Sequence, residues 1–148
     1  MSAAAQTKIS GTAKCGKPEY QLAVEAGDRK GHMLVVFKPS CTWTMPIEMA
    51  GVKAKSYTAA ISSDAGGERA QDRGYVVVTM ENGDQAFAKF QGTGLNKQSG
   101  AHSDEGTWTF TGGTGVLKGI TGKGTYKRER RRMRRMTRSR ASTRLVGR

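Results

Sequence analysis

Gly74-Tyr75-Val76-Val77-Val78-Thr79-Met80-Glu81 and Gln85-Ala86-Phe87-Ala88-Lys89-Phe90-Gln91-Gly92 stand on either side of Asn82-Gly83-Asp84. The flanks carry β-branched and aromatic residues, and Asn or Gly between them supplies the positive φ that a tight turn needs. The segment reads as a β-hairpin, and it sets the fold class. The same character recurs outward from it. Gly106 to Thr111 alternates, with Trp108 and Phe110 on one face and threonines on the other. Val52 to Ile61 and Cys41 to Thr44 are rich in Thr, Val, Tyr and Ala, and His32 to Lys38 is a short apolar run between Gly31 and Pro39. Lys8 to Lys14 sets Ile9, Gly11 and Ala13 on one side. Val116-Leu117 and Thr125-Tyr126 flank the glycines at 119, 122 and 124, whereas Ser62 to Asp72, with Gly66-Gly67, reads as a polar loop. No stretch holds a 3.6-residue apolar period with helix caps. We therefore expect an all-β chain, a small antiparallel β-barrel of about eight strands. Barrel closure removes the exposed sheet edges that a small β-domain must otherwise protect.

Charge divides the chain unevenly. Lys127 to Arg148 holds ten of the thirteen arginines and one lysine against Glu129 alone, so these 22 residues carry +10 of the total +13. The expected organisation is a short N-terminal segment over 1–6, a barrel domain over 7–126 and a basic tail over 127–148. A body of about 126 residues is long enough to bury a core without metals or several disulfides. No apolar run approaches the roughly 20 residues of a membrane-spanning helix. Like charges repel and little apolar surface is on offer, so the tail reads as a disordered, solvated segment.

Neither the glycines nor the histidines compose a catalytic motif. Gly113-Thr114-Gly115-Val116-Leu117-Lys118-Gly119 is one residue too long for Gly-x-Gly-x-x-Gly, and Leu117 and Gly124 stand where a phosphate loop needs Gly and Ser or Thr. Glycines at turns and bulges account for the pattern. His32 and His102 are far apart in sequence. Asp104-Glu105 stands close enough to His102 to orient it, but such a cluster is more often a solvated loop, which is the reading we take. We expect no catalytic residue, no cofactor and no metal. Trp43, Tyr75, Phe87, Phe90, Trp108 and Phe110 are the heavy groups expected inside the barrel. Glu48 is a further candidate for the interior because it follows Pro46-Ile47, although an edge or rim position is the reading we favour for it. A small eight-stranded barrel either fills its interior with side chains or encloses one small ligand.

Two cysteines leave two readings. In an oxidising compartment Cys15 and Cys41 would pair and stabilise by roughly 3–4 kcal/mol; in the cytosol they would be separate buried thiols. Ala3-Ala4-Ala5-Gln6 has the small-x-small pattern of a leader cleavage site, but no basic or apolar region precedes it. The chain is therefore expected in the periplasm or outside the cell if a leader lies upstream in the gene, and in the cytoplasm otherwise.

Three stretches together carry a resemblance: Cys15-Gly16-Lys17-Pro18, Cys41-Thr42-Trp43-Thr44, and Gly106 to Gly115 running on to Gly119-Ile120-Thr121-Gly122-Lys123-Gly124-Thr125-Tyr126. They resemble a family of small exported bacterial proteins that brings no established activity. The last stretch also looks like the final hairpin of allene oxide cyclase and dirigent-type barrels. The resemblance spans most of residues 6–126. It implies an eight-stranded, lipocalin-like barrel, export and a Cys15–Cys41 bridge, and it transfers no catalytic residue. Such a barrel wants one more strand after Tyr126, where the arginine run begins instead. A shifted reading frame over Arg140 to Arg144 permits Gly-Glu-Tyr-Ala, a plausible closing strand, so we expect the run to come from a frameshift; resequencing the locus checks this.

Three functions compete on this reading. The first is a non-enzymatic exported β-barrel that binds a small apolar ligand. The second is an adaptor that holds nucleic acid or another anionic surface through Arg130, Arg131, Arg132, Arg134 and Arg135. Its affinity would fall steeply with salt, and no aromatic residue in the tail stacks on bases. An anionic membrane surface would attract the same arginines, although Met133 and Met136 make too small an apolar face for an anchor. The third is a barrel isomerase or cyclase.

Overall fold

In a computed structural model, residues 7–97, 101–130 and 145–147 are described, Arg130 and the last three as backbone only. Among them the only helix is a single 3-10 turn, and the strands run antiparallel. Five long strands make a meander: β7 (Val52–Gly66), β8 (Arg69–Met80), β9 (Gln85–Asn96), β10 (His102–Gly113) and β11 (Gly122–Arg130). The hairpin expected around Asn82-Gly83-Asp84 joins β8 to β9, with Thr79 opposite Gln85. Gly83 takes φ 89°, and the Asn82 side-chain oxygen accepts the Asp84 backbone N–H at 3.0 Å. The Asn82 side chain thus bonds the backbone two residues on, which closes the turn locally.

Shorter strands complete the sheet: β1 (Thr7–Ile9), β2 (Thr12–Cys15), β3 (Tyr20–Glu25), β4 (His32–Lys38), β5 (Ser40–Met45), β6 (Glu48–Met49) and β12 (Leu145–Gly147). β4 and β5 both pair with β7, at Ile61–Gly66 and Ser56–Thr58 respectively. β2 lies on β5, while β1 joins β12, which joins β11. The sheet therefore curls into a half-barrel, and β3 forms a free edge beyond β4.

Two boundaries differ from the sequence reading. The polar loop at Ser62–Asp72 is instead the end of a long two-stranded ribbon: β7 and β8 pair from Ala54 to Gly66, and the turn is only Gly67-Glu68, with Gly67 at φ 66°. Polar residues alternate there as strictly as apolar ones do elsewhere. Ser62, Asp64, Gln71 and Arg73 are exposed, while Ser63 and Asp72 are buried. The second boundary is the start of the basic tail. β11 does not stop at Tyr126 but continues through Lys127–Arg130, with Lys127 and Glu129 exposed and Arg128 half-buried. Val116-Leu117 is no strand either. It belongs to the 3-10 turn Gly115–Leu117, which drops Leu117 into the core at 2% exposure.

The core lies on the concave face. Ile47, Ile61, Met80, Phe90, Trp108 and Phe110 form one buried cluster. Strand parity explains the membership, because successive side chains point to opposite faces. Phe90 and Trp108 are register partners, while Tyr126 stands two residues along, opposite Gly106 and beyond it Gly92, so its ring can lean over the glycines onto Phe90. Phe90 meets Tyr126 edge-on at 5.5 Å between centroids, an arrangement aromatic quadrupoles favour. The same parity corrects the expectation for Tyr75 and gives Glu48 its edge or rim position. Tyr75 is 68% exposed, because Val76 and Val78 take the inward places on β8. Glu48 is exposed in the short β6 strand, where burial of a lone carboxylate is avoided.

Candidate functional site

A cavity of about 100 Å³ opens on the concave face. Trp43 on β5 and Ile47 after it form one side, and Tyr57, Ala59 and Ile61 of β7 form the floor together with Val76 and Val78 of β8. Ala88 and Phe90 of β9, Trp108 and Phe110 of β10, and Tyr126 and Arg128 of β11 complete it. On each of these strands the lining positions are two apart, so one alternating pattern builds the whole wall. Small residues at 59 and 88 leave the room that the rings do not fill. Pockets for drug-sized ligands span roughly 300–1,000 Å³, whereas a dry apolar cavity of about 150 Å³ accepts benzene. The size here suits a body no larger than benzene. Of the residues expected inside, Trp43, Phe90, Trp108 and Phe110 line this cavity; Tyr75 is on the outer face and Glu48 borders a separate concavity beside Leu117 and Ile120.

The two tryptophans of the wall differ in one respect. Trp108 gives its indole N–H to the Thr125 carbonyl at 3.3 Å. The Trp43 indole N–H is buried and has no partner among the described residues. Its ring packs on Tyr57 at 5.4 Å between centroids. Beside it, Cys15 and Cys41 are joined in a disulfide between register partners of β2 and β5, at 3.9 Å between Cα atoms, and the Tyr57 hydroxyl stands 3.5 Å from Cys15 Sγ.

At its other end the cavity meets a polar cluster that no sequence motif announces. Asp104 on β10 is 2% exposed and Asp72 on β8 is 3% exposed. Arg128 Nη2 donates to Asp104 Oδ2 at 2.9 Å, and the Tyr126 hydroxyl donates to the same carboxylate at 3.2 Å. The guanidinium also lies over the Phe37 ring, 6.0 Å from its centroid. Burial pushes the Asp104 carboxyl up to about 6; Arg128 opposes this, and the neighbouring Asp72 adds to it. Burial, then the Asp104 charge, also pushes the Tyr126 hydroxyl well above its ordinary range. Two carboxylates beside one guanidinium would leave a net negative charge in a low-dielectric place, and a proton held on Asp104 removes it. Asp72 Oδ1 has no hydrogen-bond partner among the described residues. Glycine makes the cluster possible: a Cβ on Gly92 would stand 2.2 Å from the Tyr126 hydroxyl and 2.9 Å from Asp104 Oδ1.

The two histidines stand on different strands, His32 on β4 and His102 on β10. His102 Nδ1 bonds Asn96 Oδ1 at 2.6 Å, and Asp104 accepts from Tyr126 and Arg128. His32 bridges Asp28 and Asp64 at the tip of the β3–β4 ribbon. Hydrogen bonds that the ring donates to Asp28 and then Asp64 raise the His32 pKa. Among the described residues no group of three His, Cys, Asp or Glu could hold a metal ion, and no helix is long and apolar enough to cross a membrane. Of the candidate polyanion residues, Arg130 ends β11, and Arg131, Arg132, Arg134 and Arg135 lie outside the described residues.

Sequence reasoning missed Asp72, Asp104 and Arg128 as one site. Asp72 read as loop, Arg128 as tail, and Asp104 as a neighbour of His102. The signal that could have found Arg128 is parity: counting inward positions from Trp108 across the hairpin to Gly124 and Tyr126 leads next to 128. In comparisons with family models, with curated proteins and with solved structures, no match to this chain is found.

Proposed function

We propose that this protein binds a small, largely apolar molecule in the concave cavity, as an exported binding protein rather than an enzyme. The observation that carries the reading is the wall itself: strands β5 and β7–β11 contribute apolar side chains to one cavity, and charged groups gather at one end of it. That is the general make-up of small-molecule sites, scaled down. The Cys15–Cys41 pair supports an oxidising location, where such bridges persist. Kinship with small exported bacterial proteins, and with the closing hairpin of allene oxide cyclase and dirigent-type barrels, belongs to the same proposal and rests on Gly106 to Tyr126.

Benzene is the direct probe. In a protein-observed NMR titration, shifts are expected at Ile61, Val78, Phe90 and Phe110 and not on the outer face. Binding at a hundredfold excess over Kd should add about 2.7 kcal/mol of stability. Val78→Phe, which fills the cavity, should remove both effects. Shifts scattered over the outer surface, or none at saturating benzene, would refute the reading.

A further inference from the structure

The Arg128 side chain crosses the open side of the curled sheet. Arg128 stands on β11 and Phe37 on β4, and four strands, β10, β9, β8 and β7, lie between these two in the sheet order. At about 4.8 Å per strand, a flat sheet would part them by about 24 Å. The curl brings them together, and the Arg128 guanidinium lies 6.0 Å from the Phe37 ring centroid. We infer that Arg128 is a strap that closes one end of the cavity, held at its head by Asp104 and Phe37, and that its release lets the ligand in and out. The gating rests on the ligand-binding reading above; the strap itself does not.

Placement supports a movable part held on a fixed one. Arg128 belongs to the cavity wall, whereas Asp104 and Phe37, which hold it, do not. The Arg128 side chain is 18% exposed and that of Asp104 is 0% exposed, so the anchor is buried while the strap keeps a side to water. Nη2 of Arg128 donates to Asp104 Oδ2 at 2.9 Å. The anchor is itself fixed, because the Tyr126 hydroxyl stands 3.3 and 3.2 Å from the two oxygens of that carboxyl. The guanidinium is also felt on β7, across the cavity. Burial pushes the Tyr57 hydroxyl above its ordinary range, and the Arg128 charge acts against that push.

The choice of arginine fits a gate better than a plug. An apolar side chain would stay in the wall with or without a ligand, since leaving it would expose apolar surface. A guanidinium on a flexible stem has two comfortable places. Closed, it pairs with the carboxyl and lies on the ring; swung out, its head is hydrated while the stem still covers apolar surface. The two states differ by about one charge-assisted hydrogen bond and one cation–π contact. Weakening either contact opens the end more often. Entry and exit then speed up together, and the affinity of the cavity stays much as it was.

Benzene exchange on the full chain with its disulfide intact tests this, with rates taken from NMR line shapes. Asp104→Asn removes the charge of the anchor and should raise the association and dissociation rates together by about ten-fold. Phe37→Leu keeps an apolar side chain without the ring and should raise both by about three-fold. Neither residue lines the cavity, so Kd should move by less than about two-fold in each variant. In the ligand-free protein, nuclear Overhauser contacts should join the Arg128 side chain to the Phe37 ring. Their absence overturns the strap whether or not benzene binds. Unchanged rates in both folded variants, or a Kd shift carried by dissociation alone, overturns the gate and leaves the cavity as a binding site. Failure of benzene to bind the unaltered protein removes the ligand-binding reading and the gate with it, while the Overhauser contacts still decide the strap.

Discussion

The β3–β4 ribbon and the β8–β9 hairpin are both antiparallel pairs with period-2 apolar positions, and they end in opposite environments. On β8 and β9, Val78, Met80, Ala86 and Phe90 are buried. On β3, every residue is exposed; Tyr20, Leu22 and Val24 stand at 54%, 51% and 53%, and their partners on β4, Leu34 and Val36, at 46% each. The difference is what lies across the face. β8 and β9 look at β5, β10 and β11 over the cavity, whereas β3 is an end strand with nothing paired beyond it among the described residues. Alternation makes a strand; only an opposing layer makes it core.

The contrast is sharpest in mutational cost. Trp108→Ala or Phe110→Ala should destabilise by about 3–5 kcal/mol through lost burial and the space left behind, measured by denaturant unfolding. Opening the bridge with Cys15→Ser and Cys41→Ser should cost about 3.5 kcal/mol by the chain-entropy model for a sequence separation of 26. Scanning calorimetry of that variant against the oxidised protein checks it.

A pH titration separates the two regions by window. Asp104 titrates near 6 when folded and near 3.8 when unfolded, so the folded state holds the extra proton between these values and stability falls as pH rises through that range. The loss should be about 1–3 kcal/mol, and Asp104→Asn should abolish the slope. His32, at the tip of the ribbon, has its pKa raised instead. Its contribution is full below 6.5 and is lost as pH rises through the higher folded value. Unfolding curves for Asp104→Asn should thus lose the acidic slope and keep the one that begins above 6.5. The smallest effect belongs to the free edge: Leu22→Thr should change stability by no more than about 0.5 kcal/mol. A larger loss would mean that an unseen layer covers β3.

Legibility followed the same line. The hairpin at 82–84, the alternation at 106–111 and the run at 32–38 were plain because hydrophobicity and turn chemistry agreed. Ser62–Asp72 was opaque because its strands alternate polar with polar, and β3 went unread between charged neighbours although Tyr20, Leu22 and Val24 keep the period. Trp43, Phe90, Trp108 and Phe110 could be placed inward by pattern, and Tyr75 could not, since a run such as Tyr75-Val76-Val77-Val78 does not state its phase. The polar cluster was the least visible. Asp72, Asp104 and Arg128 are distant in sequence, and only cross-strand register brings them together.

That register carries a practical consequence for any attempt to separate the arginine-rich end from the rest. Arg128 is the counter-ion of Asp104. A protein cut after Tyr126 would leave a buried acid without its cation, and would lose affinity, solubility or heat resistance for reasons unconnected with polyanions. A cut after Arg130 keeps the pair but removes β12, which links β1 to β11, so the fair partner in a heparin-retention comparison is the full-length chain with Arg131, Arg132, Arg134 and Arg135 replaced by Gln.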